Sequence, residues 1–292
     1  MAKKLFNTKI GLALGGGAAK GIAHVGVLKA LEDNNVDIRY IAGTSVGAIV
    51  AALFAFNVDV DTIGGLAKRL TMSKVTSFKL SKTGFFSTES LRDLMVEYLG
   101  EVKIEEANIP LSIVATDIIT GEEIILTHGS VADAVCASAA IPGIYIPVQI
   151  GTRTLVDGGL VQNVPIEALQ AMGAGVTIAS HLNSASHYSD ISHVLDVMRN
   201  AFEIAVSHHT RDQLESADLL ISMDVSNFSL RDNTDRYDEL FAVGYNTATQ
   251  QLNKLVWYKK RNVLLYPWRA VKELAPFKVP EAVKRLTLEK NS

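Results

Sequence analysis

Twice within its first 56 residues the chain runs through an apolar stretch of strand length, breaks on glycine, and resumes as an apolar stretch of helical length. The first unit is "KIGLAL" (Lys9 to Leu14), "GGG" and "IAHVGVLKALEDNN"; the second is "IRYIA", "GTSVG" and "AIVAALFAF". A strand that hands over to a helix and is followed by another such unit places its strands in parallel, because the helix is the crossover that parallel pairing requires. Further apolar, β-rich runs follow at "LSIVATDI", "EEIILTH", "RTLVDGG", "AGVTIAS" and "DLLISM". Helical patterns lie between and after them, in "TESLRDLMVEYL", "SVADAVCASA", "PIEALQAM", "SHVLDVMRNAFEIAVSHHTRDQLESA" and "DELFAVGYNTATQQLNKLV". The expectation is an α/β fold of three layers, α/β/α, around a mostly parallel central sheet.

A chain of 292 residues that is 48% hydrophobic is long enough to bury one large core. Residues 1–253 are expected to form the main domain, and residues 254–292 an extension packed on the body, on a partner subunit or on a membrane surface. With a net charge of −3, the chain has no global basic field to attract phosphates, so nucleic acid is not an expected partner. The single cysteine, Cys136, cannot form an internal disulfide and fits a reducing compartment. No run reaches the ~18–20 apolar residues of a membrane span, and the amino end is a poor signal peptide, so a cytoplasmic protein is expected.

The second glycine break carries chemistry. Gly43, Thr44, Ser45, Val46 and Gly47 form G-x-S-x-G between a strand and a helix, a pattern that puts serine on a tight turn with its hydroxyl exposed above the sheet edge. The same pattern suits a serine that merely caps the helix between packing glycines. The first break separates these readings. "LGGGAAKGIAHVGVL" fails the dinucleotide fingerprint, since Lys20 or Ala18 stands where glycine is required, and fails the P-loop, since Gly21 follows Lys20. It suits an oxyanion hole, in which backbone N–H groups and the helix behind them face one point.

A serine nucleophile needs a base. A Ser45, Asp157 and His181 or His208 triad can be written in α/β-hydrolase order, although no histidine has a compelling local context. The histidine series from His181 to His193 has no zinc spacing, and no metal is expected. Asp157 ends the strand-like "RTLVD" and is followed by Gly158 and Gly159, which let the backbone turn tightly and leave the carboxylate facing the opening.

Together, "GGGAAKG", "GTSVG" and "DGG", in that order and with "SAAIPGIYIPV" between the last two, resemble the patatin-like phospholipase family. The resemblance covers roughly residues 9 to 225. It implies a patatin-like fold and a lipid acyl hydrolase without cofactor, with Ser45 and Asp157 as a catalytic dyad. It also implies an oxyanion hole from the amides of Gly16, Gly17 and Ala18, supported by Lys20, Gly43, Gly47, Gly158 and Gly159. Two departures stand out: Ala18 replaces a glycine, which is harmless only where its φ is negative, and Lys20 stands where the family often has arginine. The same serine would also serve an acyltransferase, and the same fold a non-catalytic lipid-binding protein.

The expected partners are a lipid or small ester substrate, with peripheral membrane contact and homo-oligomer formation both compatible. Two segments suit an interface. Residues 71–90 interleave Phe78, Phe85 and Phe86 with Lys74, Lys79 and Lys82, as a flap over the site would. Residues 254–292 carry ten basic and three acidic residues with Trp257 and Trp268.

Overall fold

In the computed structural model, the structure describes residues 9–69, 77–78, 81, 83–183, 191–228 and 236–265. Strand β1 (Ile10–Leu14) lies at the centre of the sheet, between β2 (Ile38–Thr44) and β9 (Val176–Asn183). Strand β5 (Leu111–Asp117) flanks β2, and β10 (Leu219–Asp224) flanks β9. All four of these pairings are parallel. Beyond β5 the direction reverses: β8 (Arg153–Asp157), β7 (Val148–Ile150) and β6 (Glu123–Leu126) pair antiparallel. A two-residue pair, β3 (Ser77–Phe78) and β4 (Phe86–Ser87), stands apart from the sheet.

Alternation along the strands builds two unequal cores. Leu12, Leu14, Ile41, Ile113 and Ile178 face the larger one. They pack with α1 (Ile22–Asp33), α2 (Val46–Ala55), α3 (Val60–Arg69), α4 (Glu89–Leu99), α5 (Val131–Ser138) and the start of α8 (Tyr237–Leu265). Their neighbours Ala13, Ala42, Val114 and Ala179 point the other way, toward α6 (Ile166–Ala171). The small side chains on that face let α6 sit close. Helix α7 (Val194–Leu214) lies between β9 and β10 in the chain. The result is the expected three-layer α/β/α fold.

Helix α1 is buried at nine of its twelve positions. It meets α8 backbone to backbone at two glycines: a Cβ on Gly26 would strike the Phe241 carbonyl, and one on Gly244 the Ala23 carbonyl. Helix α8 continues to Leu265, across the boundary expected at residue 253, and residues 266–292 lie outside the described residues, Trp268 among them. No helix among the described residues is long and apolar enough to cross a membrane.

Candidate active site

Strands β1 and β2 are direct neighbours, with Leu14 opposite Gly43, so the two glycine turns open side by side at the carboxyl edge. Open α/β sheets place their ligands at this edge. Ser45 adopts φ 54° and ψ −124°, in a region that L residues rarely occupy, and leads directly into α2. The glycines around it are required by contact. A Cβ at Gly47 would collide with the Leu14 carbonyl, and one at Gly43 would lie 2.5 Å from the Ala48 Cα. The Ser45 amide donates to Ser138 Oγ at 2.8 Å, and Ser138 in turn donates to the Val114 carbonyl at 2.6 Å, which ties the strained turn to β5.

Register brings the aspartate alongside. Strand β6 covers one side of β5 from Ile113 to Thr116, so β2 and β8 share the other side: Thr44 pairs with Val114, and Asp157 with the next residue, Ala115. The carboxyl ends of β2 and β8 therefore meet along one side of β5, and Ser45 stands directly beside Asp157 with no strand between them. The reversal of β8 is what achieves this, because β5 continues two residues past Ala115 and β8 runs back along that extension. Asp157 is itself fixed from several directions: its N–H donates to Ala140 O at 2.9 Å, and its carbonyl accepts from Thr116 Oγ1 at 2.9 Å. Oδ1 accepts from the Gly159 N–H at 2.8 Å. Gly158 has no room for a side chain, since a Cβ there would meet the Val114 carbonyl.

The Asp157 carboxylate is 1% exposed, and its second oxygen, Oδ2, is buried with no hydrogen-bond partner. Burial raises its pKa to about 7, against smaller lowering effects from the Gly159 amide and the Ser45 hydroxyl. The hydroxyl is thus near enough to act on the carboxylate, although the two do not close a hydrogen bond.

The glycine loop departs from expectation in two respects. The Gly16 amide is already engaged, donating to Asn163 O at 3.1 Å, so it is not free for a ligand. Among the described residues, the Gly17 and Ala18 amides have no acceptor. Ala18 sits at φ 50°, so its replacement of glycine carries backbone strain rather than being free of it. Lys20 is half-buried; desolvation lowers its pKa, opposed by Glu203 and Asp224.

Among the described residues, no histidine joins Ser45 and Asp157. His181 bonds Ser222 Oγ at 3.3 Å and His208 is exposed on α7, so neither triad that can be written from the sequence forms. His24 has another place. It is fully buried, with Nδ1 2.8 Å from Ser180 Oγ and Nε2 2.8 Å from Gly15 O. Burial lowers its pKa to about 4, so the ring is neutral at pH 7. A carbonyl can only accept, which assigns the proton to Nε2 and makes Ser180 the donor to Nδ1. The loop's first carbonyl is thereby pinned from beneath. His24, Ser138, Ser180 and Asn163 are site residues that sequence patterns missed; the first three lay within quoted stretches, but no local signal marked their roles.

Beside Ser45 opens a cavity of about 120 Å³. Ser45 contributes to its wall together with Val46, Ile49 and Leu53 of α2, Ile63 of α3 and Leu91 of α4. Tyr145 and Thr88 are the other polar side chains in a lining that is otherwise apolar. Of the expected flap, Phe86 packs its ring 6.3 Å from that of Tyr145, and Phe85 is exposed. The side chains of Phe78, Lys74, Lys79 and Lys82 lie outside the described residues.

Residues 12–169, which span both glycine turns, Asp157 and the start of α6, match the family model described as patatin-like phospholipase. The chain belongs to this family. Among curated patatin relatives, an uncharacterized NTE family protein of Mycobacterium bovis is 36% identical over 180 residues, 61% of this chain and 50% of that protein. Lysophospholipase NTE1 of Yarrowia lipolytica is 30% identical over 190 residues, 63% of this chain and 13% of that protein. The chain thus spans half or less of the length of these relatives. The patatin fold is also that of VipD from Legionella pneumophila, with a TM-score of 0.56 at 15% identity over 85% of this chain and 67% of VipD. ExoU in its complex with SpcU from Pseudomonas aeruginosa gives 0.53 at 14% identity, over 85% and 52%.

Proposed function

We propose that this patatin is a lipid acyl hydrolase in which Ser45 is the nucleophile and Asp157 its base. The observation that carries the reading is that Ser45, directly beside a buried carboxylate, forms part of the wall of an apolar cavity. An alkyl chain held in that cavity would bring its ester carbonyl to the Ser45 hydroxyl. Oγ attacks the carbonyl carbon, and its proton passes to Asp157 as the tetrahedral intermediate forms. The Gly17 and Ala18 amides are positioned on the loop facing Ser45 to receive the oxyanion, with the helix behind them adding positive potential. Collapse of the intermediate releases the alcohol, which takes the proton back. Water, deprotonated by the same carboxylate, then frees the fatty acid from Ser45.

The pKa of Asp157 supports the role. A carboxylate at its ordinary value is a feeble base for a hydroxyl, whereas one raised to about 7 is matched to neutral operation. The name of the NTE1 relative, a lysophospholipase, supports a lysophospholipid or phospholipid as substrate. The test is reaction of the full chain with a fluorophosphonate, followed by peptide mass spectrometry and a lysophosphatidylcholine hydrolysis assay. An adduct on Ser45 and fatty acid release that Ser45→Ala abolishes are expected. Absence of adduct on folded protein would defeat the proposal.

A further inference from the structure

We infer that the carboxyl edge of the sheet is a bilayer-docking face, built chiefly on an outward apolar strip of α7, which seats the mouth of the Ser45 cavity on uncharged lipid. The inference rests on the proposed lipid hydrolase reading for its choice of occupant, while its geometry stands separately.

Seven large apolar side chains are exposed among the described residues, and their placement is one-sided. Ile118 and Ile119, 43% and 77% exposed, immediately follow Asp117 at the carboxyl end of β5. Phe85 is joined through its N–H to the Ile144 carbonyl at 3.0 Å, within the segment whose Ile141 and Tyr145 line the cavity. The remaining four are Ile191, just before α7, and Val194, Val197 and Ile204 on it. Because β9 reaches the carboxyl edge at Asn183 and β10 starts again from the opposite edge, α7 begins at the carboxyl edge and descends from there. Three unconnected segments thus raise their exposed apolar residues at the same end of the molecule, the end where Ser45 sits.

Helix α7 is inverted in polarity. At 100° per residue, Val194, Val197, Ala201 and Ile204 fall within about 80° of one another and form one outward strip. The charged residues of the same turns, Asp196, Arg199 and Glu203, point away from it. Asp196 and Arg199 form an ion pair at 3.2 Å and are only 21% and 19% exposed, and Glu203 is buried enough that desolvation raises its pKa. A surface helix in water carries its charge outward and its apolar face inward. Continuity with the site favours lipid over protein as the occupant. The underside of α7 touches the machinery directly: Met198 abuts Gly143, and a Cβ on Gly159 would lie 3.3 Å from Phe202 and from Val206. A bilayer touching the strip would therefore meet the chain beside the cavity mouth, where a lipid must enter.

An apolar strip inserts by burying hydrocarbon rather than by charge attraction, so its binding should survive salt and need no anionic lipid. The experiment is flotation of the full chain with vesicles of pure phosphatidylcholine, at low and at high salt, for wild type and for Val197→Asp/Ile204→Asp. Phosphatidylcholine is chosen because the ten basic residues of 254–292 would attract anionic lipid by themselves. Salt-insensitive binding by wild type, and at least a tenfold lower partition coefficient for the variant, are expected. Hydrolysis of a monomeric short-chain ester should be the same in both. Equal vesicle partition by the two proteins would overturn the inference. So would a wild-type oligomer that fails to float and that the variant converts to monomer, since a second copy would then be the occupant. Ile119→Asp, on a separate segment, should lower partition on its own and guards against a local folding defect in α7. Loss of the hydrolase reading would show differently, as an absent Ser45 adduct with flotation intact.

Discussion

The turn that presents Ser45 and the turn that presents Asp157 follow strand ends that meet along one side of β5, yet the first is unfavourable in its backbone and the second in its electrostatics. Ser45 sits at a positive φ that glycine would tolerate better, braced by Gly43, Gly47 and the bond to Ser138. Asp157 has ordinary dihedrals, φ −50° and ψ 130°, but holds a carboxylate out of water with one oxygen unpartnered. A functional hydroxyl needs to be aimed, and strain in the main chain aims it. A functional base needs its affinity for a proton raised, and burial does that. Substitutions that relieve one kind of cost and not the other separate the two turns.

The largest effects fall on activity and are common to both. Ser45→Ala and Asp157→Asn should each lower kcat/KM for a lipid ester by about a thousandfold or more, since members of a catalytic unit fail together. The Ser45→Ala/Asp157→Asn double variant should lose little beyond either single one. Losses that multiply in the double variant would mean the residues do not act as a pair. In wild type, kcat/KM should rise about tenfold per pH unit below the Asp157 pKa and level off above about pH 7, because only the ionised carboxylate accepts the proton.

Stability then divides the turns. The folded protein holds a proton on Asp157 at pH values where the unfolded chain has released it, because the folded pKa is raised to about 7 from 3.8. The stability associated with that protonated group is fully present below about pH 4 and is lost as pH rises through 7. Asp157→Asn removes the charge and should be more stable than wild type at pH 8, by up to about 4 kcal/mol. The difference should shrink toward zero near pH 4. Denaturant unfolding across that range measures it, and a pH-independent difference would show that burial of the charge is not the source.

Much of this comparison could be read from the sequence, because glycine and period two are local signals. The two strand–turn–helix units and the elbow at Ser45 follow from residues adjacent in the chain, whereas the order of the strands, with β9 beside β1, rests on distant pairings. Helix α3 was hidden, since Gly64 and Gly65 interrupt its pattern, and its buried Val60, Ile63 and Leu66 are recognisable only once they have a core to face. Strand β7 is three residues long, too short for alternation to register. The pairing partners of the site were beyond reach for a different reason. Whether the Gly16 amide is free depends on where the Asn163 carbonyl comes to rest, and the role of His24 depends on Ser180, a residue on another strand.

His24 sharpens the comparison by touching only one side of it. Its Nε2–H holds the Gly15 carbonyl and its Nδ1 accepts from Ser180, so it positions the loop that faces the Ser45 turn and, among the described residues, makes no hydrogen bond to Asp157. His24→Gln keeps a side-chain donor of different reach and should lower kcat about tenfold through a misplaced oxyanion loop, with KM little changed. The pH midpoint of the activity profile should stay where Asp157 sets it. A shifted midpoint would place His24 in the proton path and require the base to be reassigned.

The smallest effect isolates the backbone. Glycine at position 45 would adopt φ 54° and ψ −124° without the Cβ clash, which relieves roughly 1–3 kcal/mol, while the unfolded chain gains freedom worth about 0.5–1 kcal/mol in opposition. Ser45→Gly should therefore be inactive and more stable than Ser45→Ala by about 1 kcal/mol, at every pH between 4 and 8. That flat profile is the counterpart of the sloping one expected for Asp157→Asn. Equal stability of Ser45→Gly and Ser45→Ala would mean that the elbow relaxes once the hydroxyl is gone, and that the strain belongs to the serine's own contacts rather than to the glycine-braced path of the chain.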